Sequence, residues 1–350
     1  MWMGGYMTVK DILAQHLDAL AALAPGVGGM VLHAHDAPCV MTRGVRIAGR
    51  IDPVVEGDAW HIGSCTKAMT ATLLARLQAA GKVDLGAGLA EALPGLPMHP
   101  SFSAMPLRAV LRHEAGIRRD PHWSVFARLR ASRAPVRDQR RHLAALALAE
   151  RPVTRAGYSN LGYIVLGAAI EAATGMDWER AIARDVFAPL GMAGAGHGPP
   201  PLPASVGHRW DAARWRPKPP GPWADNPGLY GPAGRIHVPL EDWARFAAVH
   251  LGVGSAEYLP PALLREMHRP GTHGYAAGWG AGTTADGARI LRHTGSNTMW
   301  FADMRLLPAH GIGTAIVCNA FSASLRMQVL KAGDALLDDA SQLFKTVRMR

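Results

Sequence analysis

Segments with the two-residue period of strands lie at both ends of this 350-residue chain, while the long middle follows a helical period. Residues 27–33, a polar tip at Asp36 and Cys39-Val40-Met41-Thr42 read as an antiparallel hairpin, and shorter alternating segments continue to Trp60. Towards the other end, residues 274–279, 289–293, 299–306 and 312–318 are strand-like. Buried strands must satisfy their N–H and C=O groups on neighbours, so strands this far apart in sequence are expected to pair across the helical insertion. The predicted fold is α/β of the α+β type, with a mostly antiparallel sheet built from both chain ends and flanked by helices. Residues 1–80 and 270–350 would form the sheet domain, and 81–269 an inserted, mainly helical subdomain.

Thr8 and Asp11 fit a helix start that places Val9, Ile12, Leu13, Leu17 and Leu20 on one face, and a last helix is expected from 323 to about 343. From Ser64 the period changes: Met69, Leu73, Leu74 and Leu77 repeat at helical spacing until Gly81, a C-terminal stop. Apolar helical faces follow at 142–149, 161–173 and 178–190, each ended by glycine or proline, and another at 240–251. Between them, residues 198–232 hold ten prolines with Trp210, Trp215, Trp223 and Tyr230. That stretch reads as irregular and long for a passive connection, the kind of loop that lines a site.

Composition removes several classes. With 49% hydrophobic and 18% charged residues the chain is globular. Cys39, Cys65 and Cys318 offer no CxxC spacing, so neither a disulfide framework nor a cysteine zinc site is expected. His113-Glu114 with Asp120 and His122 meets no zinc spacing, and residues 278–282 lack a GxGxxG match and read as the start of a strand, so no metal or other cofactor is expected. No GxSxG elbow is present. The net charge of +10 comes from arginine, and its densest run, Arg128, Arg130, Arg133, Arg137, Arg140 and Arg141, has only Asp138 opposing it. The run reads as a solvated helical face, and without interleaved aromatics no nucleic-acid partner is expected. No 18-residue apolar stretch predicts a membrane segment, and Lys10, Asp11 and Asp18 break any signal-peptide core, so a cytoplasmic location is expected, or a periplasmic one if a signal peptide has been removed. Nothing in the sequence specifies an oligomeric state.

Three short elements carry chemistry. Ser64-Cys65-Thr66-Lys67 opens an apolar helix, where free N–H groups favour a developing oxyanion and a lysine three residues on returns to the face of the serine. A serine hydroxyl needs such a neighbour to take its proton. SxxK alone is a weak signal, however, because a long helix can contain it by chance. Tyr158-Ser159-Asn160 reads equally as an N-cap asparagine at a helix start, and His293-Thr294-Gly295-Ser296 as a hairpin turn.

Together, in this order and at these separations, the three elements resemble the serine β-lactamase and penicillin-binding-protein superfamily, in its class C β-lactamase, D-alanyl-D-alanine carboxypeptidase and esterase branch. Trp60-His61-Ile62-Gly63-Ser64 is similar to the strand that leads to the family's nucleophile, and residues 111–117 to its Leu-Leu-x-His-x-Ser-Gly segment. Residues 158–175 and 231–243 match as well, and the resemblance runs from about 25 to about 320. It implies Ser64 as the acylated nucleophile, Lys67 as its partner, Tyr158 as general base kept reactive by the Lys67 charge, and Asn160 orienting Lys67 and the substrate carbonyl. The N–H groups of Ser64 and Ser296 would form the oxyanion hole, with Gly295 allowing close approach. One departure stands out. Where the β-lactamase branch has Lys-Thr-Gly, this chain has His293, which is mostly neutral at pH 7 and weakens carboxylate recognition. Arg155, Arg235 and Arg292 are candidate replacements, and Trp210, Trp223, Tyr230 and Trp300 are candidate walls of an apolar acyl or alcohol pocket.

The function so implied is a serine hydrolase acting through an acyl-enzyme on Ser64, a carboxylesterase on small acyl esters or related amides. The alternatives are a β-lactamase or D-amino-acid-specific peptidase and, from another class, a silent member used for binding or sensing. Ser64, Lys67 and Tyr158 together argue against silence.

Overall fold

The computed structural model describes residues 7–348 apart from 35, 155, 156, 222 and 255. Its centre is a six-stranded sheet in the order Cys39–Gly44, Gly26–His33, Ile312–Cys318, Phe301–Leu307, Arg289–Ser296, Gly280–Thr283, with every neighbouring pair antiparallel. The two ends of the chain meet in the middle of it, where Val27 lies opposite Cys318 and Leu32 opposite Gly313. Strands 26–33, 301–307 and 312–318 are buried almost throughout because both faces are covered, which is why they read as apolar runs.

One face is covered by the terminal helices Val9–Ala21 and Ala323–Arg348, through a cluster that includes Leu13, Leu17, Val31, Ile316 and Leu336. The first helix starts in a reciprocal capping box: Asp11 N–H donates to Thr8 Oγ1 at 3.2 Å, and Thr8 N–H to Asp11 Oδ2 at 2.9 Å. On the other face a larger cluster runs from Met30 and Leu32 through the helix Thr66–Ala79 to Leu143, Leu166 and Trp178. Trp60–His61 pairs with Ile236–Val238, which also pairs with Gly196–His197, and so ties the segment before Ser64 to the long middle of the chain. No helix among the described residues is long and apolar enough to cross a membrane.

Several expectations are corrected. Residues 274–279 form turns, with Gly274 and Gly278 at φ +69° and +80°, and the strand starts only at Gly280. Within 198–232 a regular hairpin, Gly207–Asp211 with Arg214–Lys218, pairs in parallel with Ala320–Phe321. Its tip places Ala212 and Ala213 at φ +46° and +62°, positions for which sequence normally supplies glycine or asparagine. The arginine run is not solvated throughout. Arg140, on the helix Val136–Ala149, is fully buried and bonds Glu171 and Glu179 of later helical turns.

Candidate active site

The nucleophile candidate sits on a tight turn, Gly63–Cys65, that runs directly into the helix Thr66–Ala79. That helix is buried on nearly every side, so a lysine on its first turn is carried into the interior. Lys67 is fully buried and its Nζ donates to Ser64 Oγ at 3.2 Å, Asn160 Oδ1 at 2.8 Å and the Ala233 carbonyl at 2.6 Å. Three acceptors satisfy the ammonium geometrically, yet burial disfavours its charge and brings its pKa down to about 7, against the opposing pull of Asp120. Cys65 turns the other way, its thiol donating to the His293 carbonyl at 3.4 Å.

Tyr158 lies over the same ammonium, with its ring centre 4.8 Å from Lys67 Nζ, and the Ser64 hydroxyl hydrogen-bonds its phenol. Burial pushes that phenol well above its ordinary range, and the Ser64 bond recovers only part of the shift. Behind it His113 packs at 4.6 Å in a left-handed backbone conformation, φ +58°, and its Nδ1 accepts from Ser159 N–H. The N-cap of the helix Asn160–Thr174 is Ser159, whose hydroxyl accepts from Gly162 N–H at 2.8 Å, and not Asn160. Asn160 is thereby free to face the site: its Oδ1 receives Lys67 and its Nδ2 donates to Asp120 Oδ1 at 2.8 Å.

The end of the strand Arg289–Ser296 is pressed onto the nucleophile turn. A Cβ on Gly295 would stand 1.9 Å from the Ile62 carbonyl oxygen and 2.7 Å from Ser64 N, and one on Gly63, at φ +49°, would stand 2.3 Å from Ser296 N. Two glycines therefore bring the Ser64 and Ser296 amides side by side, the arrangement an oxyanion hole needs. Gly295→Ala is expected to force these segments apart and lower kcat by about 10²–10³, the loss typical of one misplaced oxyanion donor. Steady-state rates on a nitrophenyl ester check this, and near-native turnover would mean that the close approach is only packing.

His293 is buried behind this arrangement and does not line the cavity in front of Ser64. Its Nδ1 lies 2.7 Å from the Thr294 carbonyl and must donate to it, so Nε2 accepts from the Tyr275 hydroxyl at 2.8 Å. Burial, with Lys67 nearby, lowers its pKa to about 3 and leaves the ring neutral. Of the replacement cations, Arg235 donates to Asp225 at 3.1 Å, Arg292 is exposed on its strand, and Arg155 lies outside the described residues. Asp225 is a buried anchor. Burial opposes its charge, but His61, Arg235 and Asn297 outweigh that and hold its pKa at about 2. Through His61, whose Nδ1 accepts from Gly63 N–H, and through Asn297, it joins the two amide-bearing segments.

In front of Ser64 opens a cavity of about 350 Å³. Asn160, Ser296, Ala233 and Gly234 line it, together with Asp120, Pro121, Trp123, Phe126 and Tyr230 and with Asn226, Asn297 and Thr298. Of the four aromatics expected to build a pocket, only Tyr230 is in it. Trp210 lies on the hairpin against Trp215, bordering a groove with residues 21–25. Trp223 is exposed beneath the Arg130 guanidinium, and Trp300 is core, edge-on to Trp60 and filling the space over Gly207. The sequence reading missed Trp123, Phe126, Asn226, Asn297 and Thr298, and weighed Asp120 only as a metal ligand. Its available signals were the adjacency of Asn297 and Thr298 to Ser296 and the i,i+3 pair of Trp123 and Phe126.

Comparison with known proteins agrees with this architecture. The chain is 29% identical over 333 residues to penicillin-binding protein 4 of Amycolatopsis lactamdurans, covering 85% of this chain and 80% of that one. The class C β-lactamase of Rhodobacter sphaeroides superposes with a TM-score of 0.75 at 19% identity, over 94% of this chain and 99% of that one. The D-amino acid amidase of Ochrobactrum anthropi SV3 gives 0.75 at 20% identity, over 97% and 99%. The model of the Beta-lactamase family matches residues 11–337, and the chain accordingly belongs to the β-lactamase family of serine hydrolases.

Proposed function

We propose that this hydrolase opens small carboxylic esters through an acyl-enzyme on Ser64. The observation that carries the reading is the buried Lys67, bonded to Ser64 Oγ and with a pKa near 7, so that much of it is an amine at neutral pH. A neutral nitrogen 3.2 Å from the hydroxyl has a lone pair for its proton. As Oγ bonds to the carbonyl carbon, the proton passes to Lys67, and the negative charge on the carbonyl oxygen is met by the N–H groups of Ser64 and Ser296. Collapse breaks the bond to the leaving alkoxide, which receives the proton held by Lys67. Water then repeats the sequence on the acyl carbon and releases the acid. In this reading Tyr158 holds the Ser64 oxygen by a hydrogen bond and never stands as a resting phenolate, because burial penalises its anion more than the Ser64 bond compensates.

Esters are favoured over penicillins by the third motif. A β-lactam brings a carboxylate beside the scissile bond, and His293 is neutral, buried and engaged on both ring nitrogens. Short-chain nitrophenyl esters are expected to exceed nitrocefin in kcat/KM by about ten- to hundredfold, the worth of a missing charged hydrogen bond. Parallel assays decide it; faster turnover of nitrocefin would overturn the ester assignment.

A further inference from the structure

Asp225 does not line the cavity in front of Ser64, and its side chain is only 3% exposed, so its carboxylate meets no substrate there. Its two oxygens have different partners. Oδ2 accepts from Arg235 Nε at 3.1 Å. Oδ1 accepts from Asn297 Nδ2 at 3.1 Å and from Asn226 N–H at 2.7 Å, and it stands 3.0 Å from His61 Nε2. Two of the Oδ1 neighbours lead to the amides beside the nucleophile. His61 Nδ1 accepts from Gly63 N–H at 3.2 Å, which leaves the ring proton on Nε2, towards Asp225. That bond holds the peptide immediately before the one that carries Ser64 N–H. On the other side Asn297 directly follows Ser296, and its Oδ1 accepts from the N–H groups of Met299 and Trp300, each at 3.2 Å, so the turn after the strand is tied to the same carboxylate. Gly63 and Gly295 let the two segments touch, but touching does not fix how either peptide plane is turned. An oxyanion hole needs its donors aimed before charge appears, and a displacement of about 1 Å can cost on the order of 10² in rate.

We propose that Asp225 is the positioning residue of the oxyanion hole: by holding His61 and Asn297 on one oxygen, it sets the aim of the Ser64 and Ser296 amides. The inference rests on the acyl-enzyme reading and adds to it the group that keeps the hole in register. Asp225 acts on the transition state through its neighbours and never touches the reacting atoms.

The test compares p-nitrophenyl acetate with its thionoester, in which sulfur replaces the carbonyl oxygen, on the intact protein. Sulfur is larger and accepts hydrogen bonds weakly, so an aimed hole favours the oxygen compound, by about 10² or more in kcat/KM. Asp225→Asn keeps the shape and removes the charge; it should lower this oxygen-to-sulfur ratio by about tenfold or more. Loss of folded protein would slow both substrates equally and leave the ratio in place. His61→Asn keeps an oxygen for Gly63 N–H but has no group at the Nε2 position, so the ratio should fall there too, by about threefold or more. That variant retains the carboxylate with its Arg235 and Asn297 bonds, and it decides the matter if Asp225→Asn does not melt cooperatively. An unchanged ratio in either folded variant overturns the inference. Fluorophosphonate labelling is run alongside: an adduct on Ser64 with a native ratio near one overturns the inference alone, whereas no adduct overturns the acyl-enzyme reading and the inference with it.

Discussion

Turnover of every ester is expected to fall by at least about 10⁴-fold in Ser64→Ala, and fluorophosphonate labelling to disappear with it. The expectation follows from the company that hydroxyl keeps. It is bonded to Lys67 Nζ and to the Tyr158 phenol, and its own backbone N–H stands beside that of Ser296. Ser296 also lines the cavity, but its hydroxyl accepts from Thr298 N–H at 2.9 Å and serves the turn that follows the strand. Ser64 is only half-buried, so its loss should change stability by no more than about 0.5 kcal/mol. A dead but normally melting variant is therefore the expected result. Labelling that survives and maps to Ser296 would move the nucleophile to the third motif.

Lys67→Met should cost about 10²–10⁴ in kcat/KM, the usual range for a positioned general base, with the fold retained because methionine fills most of the same buried volume. The pH profile gives an independent reading. The pKa of about 7 lies well below the ordinary lysine value, so the native rate should fall tenfold per unit below pH 7 as the amine takes up a proton, and level off above it. The residual rate of the methionine variant should lack this limb. A limb that persists there would assign the titration to another group. His113 and His293 are poor candidates, since burial lowers them to about 2 and 3.

What the sequence revealed, and what it did not, divides along physical lines. Period and capping are local, so the sheet assembled from both ends, the capped first helix and the apolar helix after Ser64 were all legible. Ser64, Lys67, Tyr158 and Asn160 came from the resemblance of three motifs taken together, since each motif alone had an ordinary structural reading, and the structure brings the four side chains to one place. The hairpin at 207–218 was not, since its tip uses two alanines at positive φ where glycine or asparagine would have been the signal. Arg140 escaped for another reason: its acidic partners, Glu171 and Glu179, belong to other turns of chain, and a charge run shows only its own neighbours. Tryptophans face the same difficulty. Trp123 and Trp300 look alike in a sequence, yet one is exposed at the cavity and the other is sealed beside Trp60.

The pairing of Val27 with Cys318 has a consequence for biosynthesis. At about 5–20 residues per second, a ribosome needs some tens of seconds to deliver the partner of the first long strand. Throughout that time the strand Gly26–His33 has only the Cys39–Gly44 hairpin edge beside it, and its other edge, apolar on both faces, is open to any strand that passes. The Ser64 site waits as well, because the amide of Ser296 arrives on one of the last strands. A nascent chain released early would thus lack the assembled Ser64 site and be prone to aggregate, and its yield would depend on whatever shelters that edge during translation.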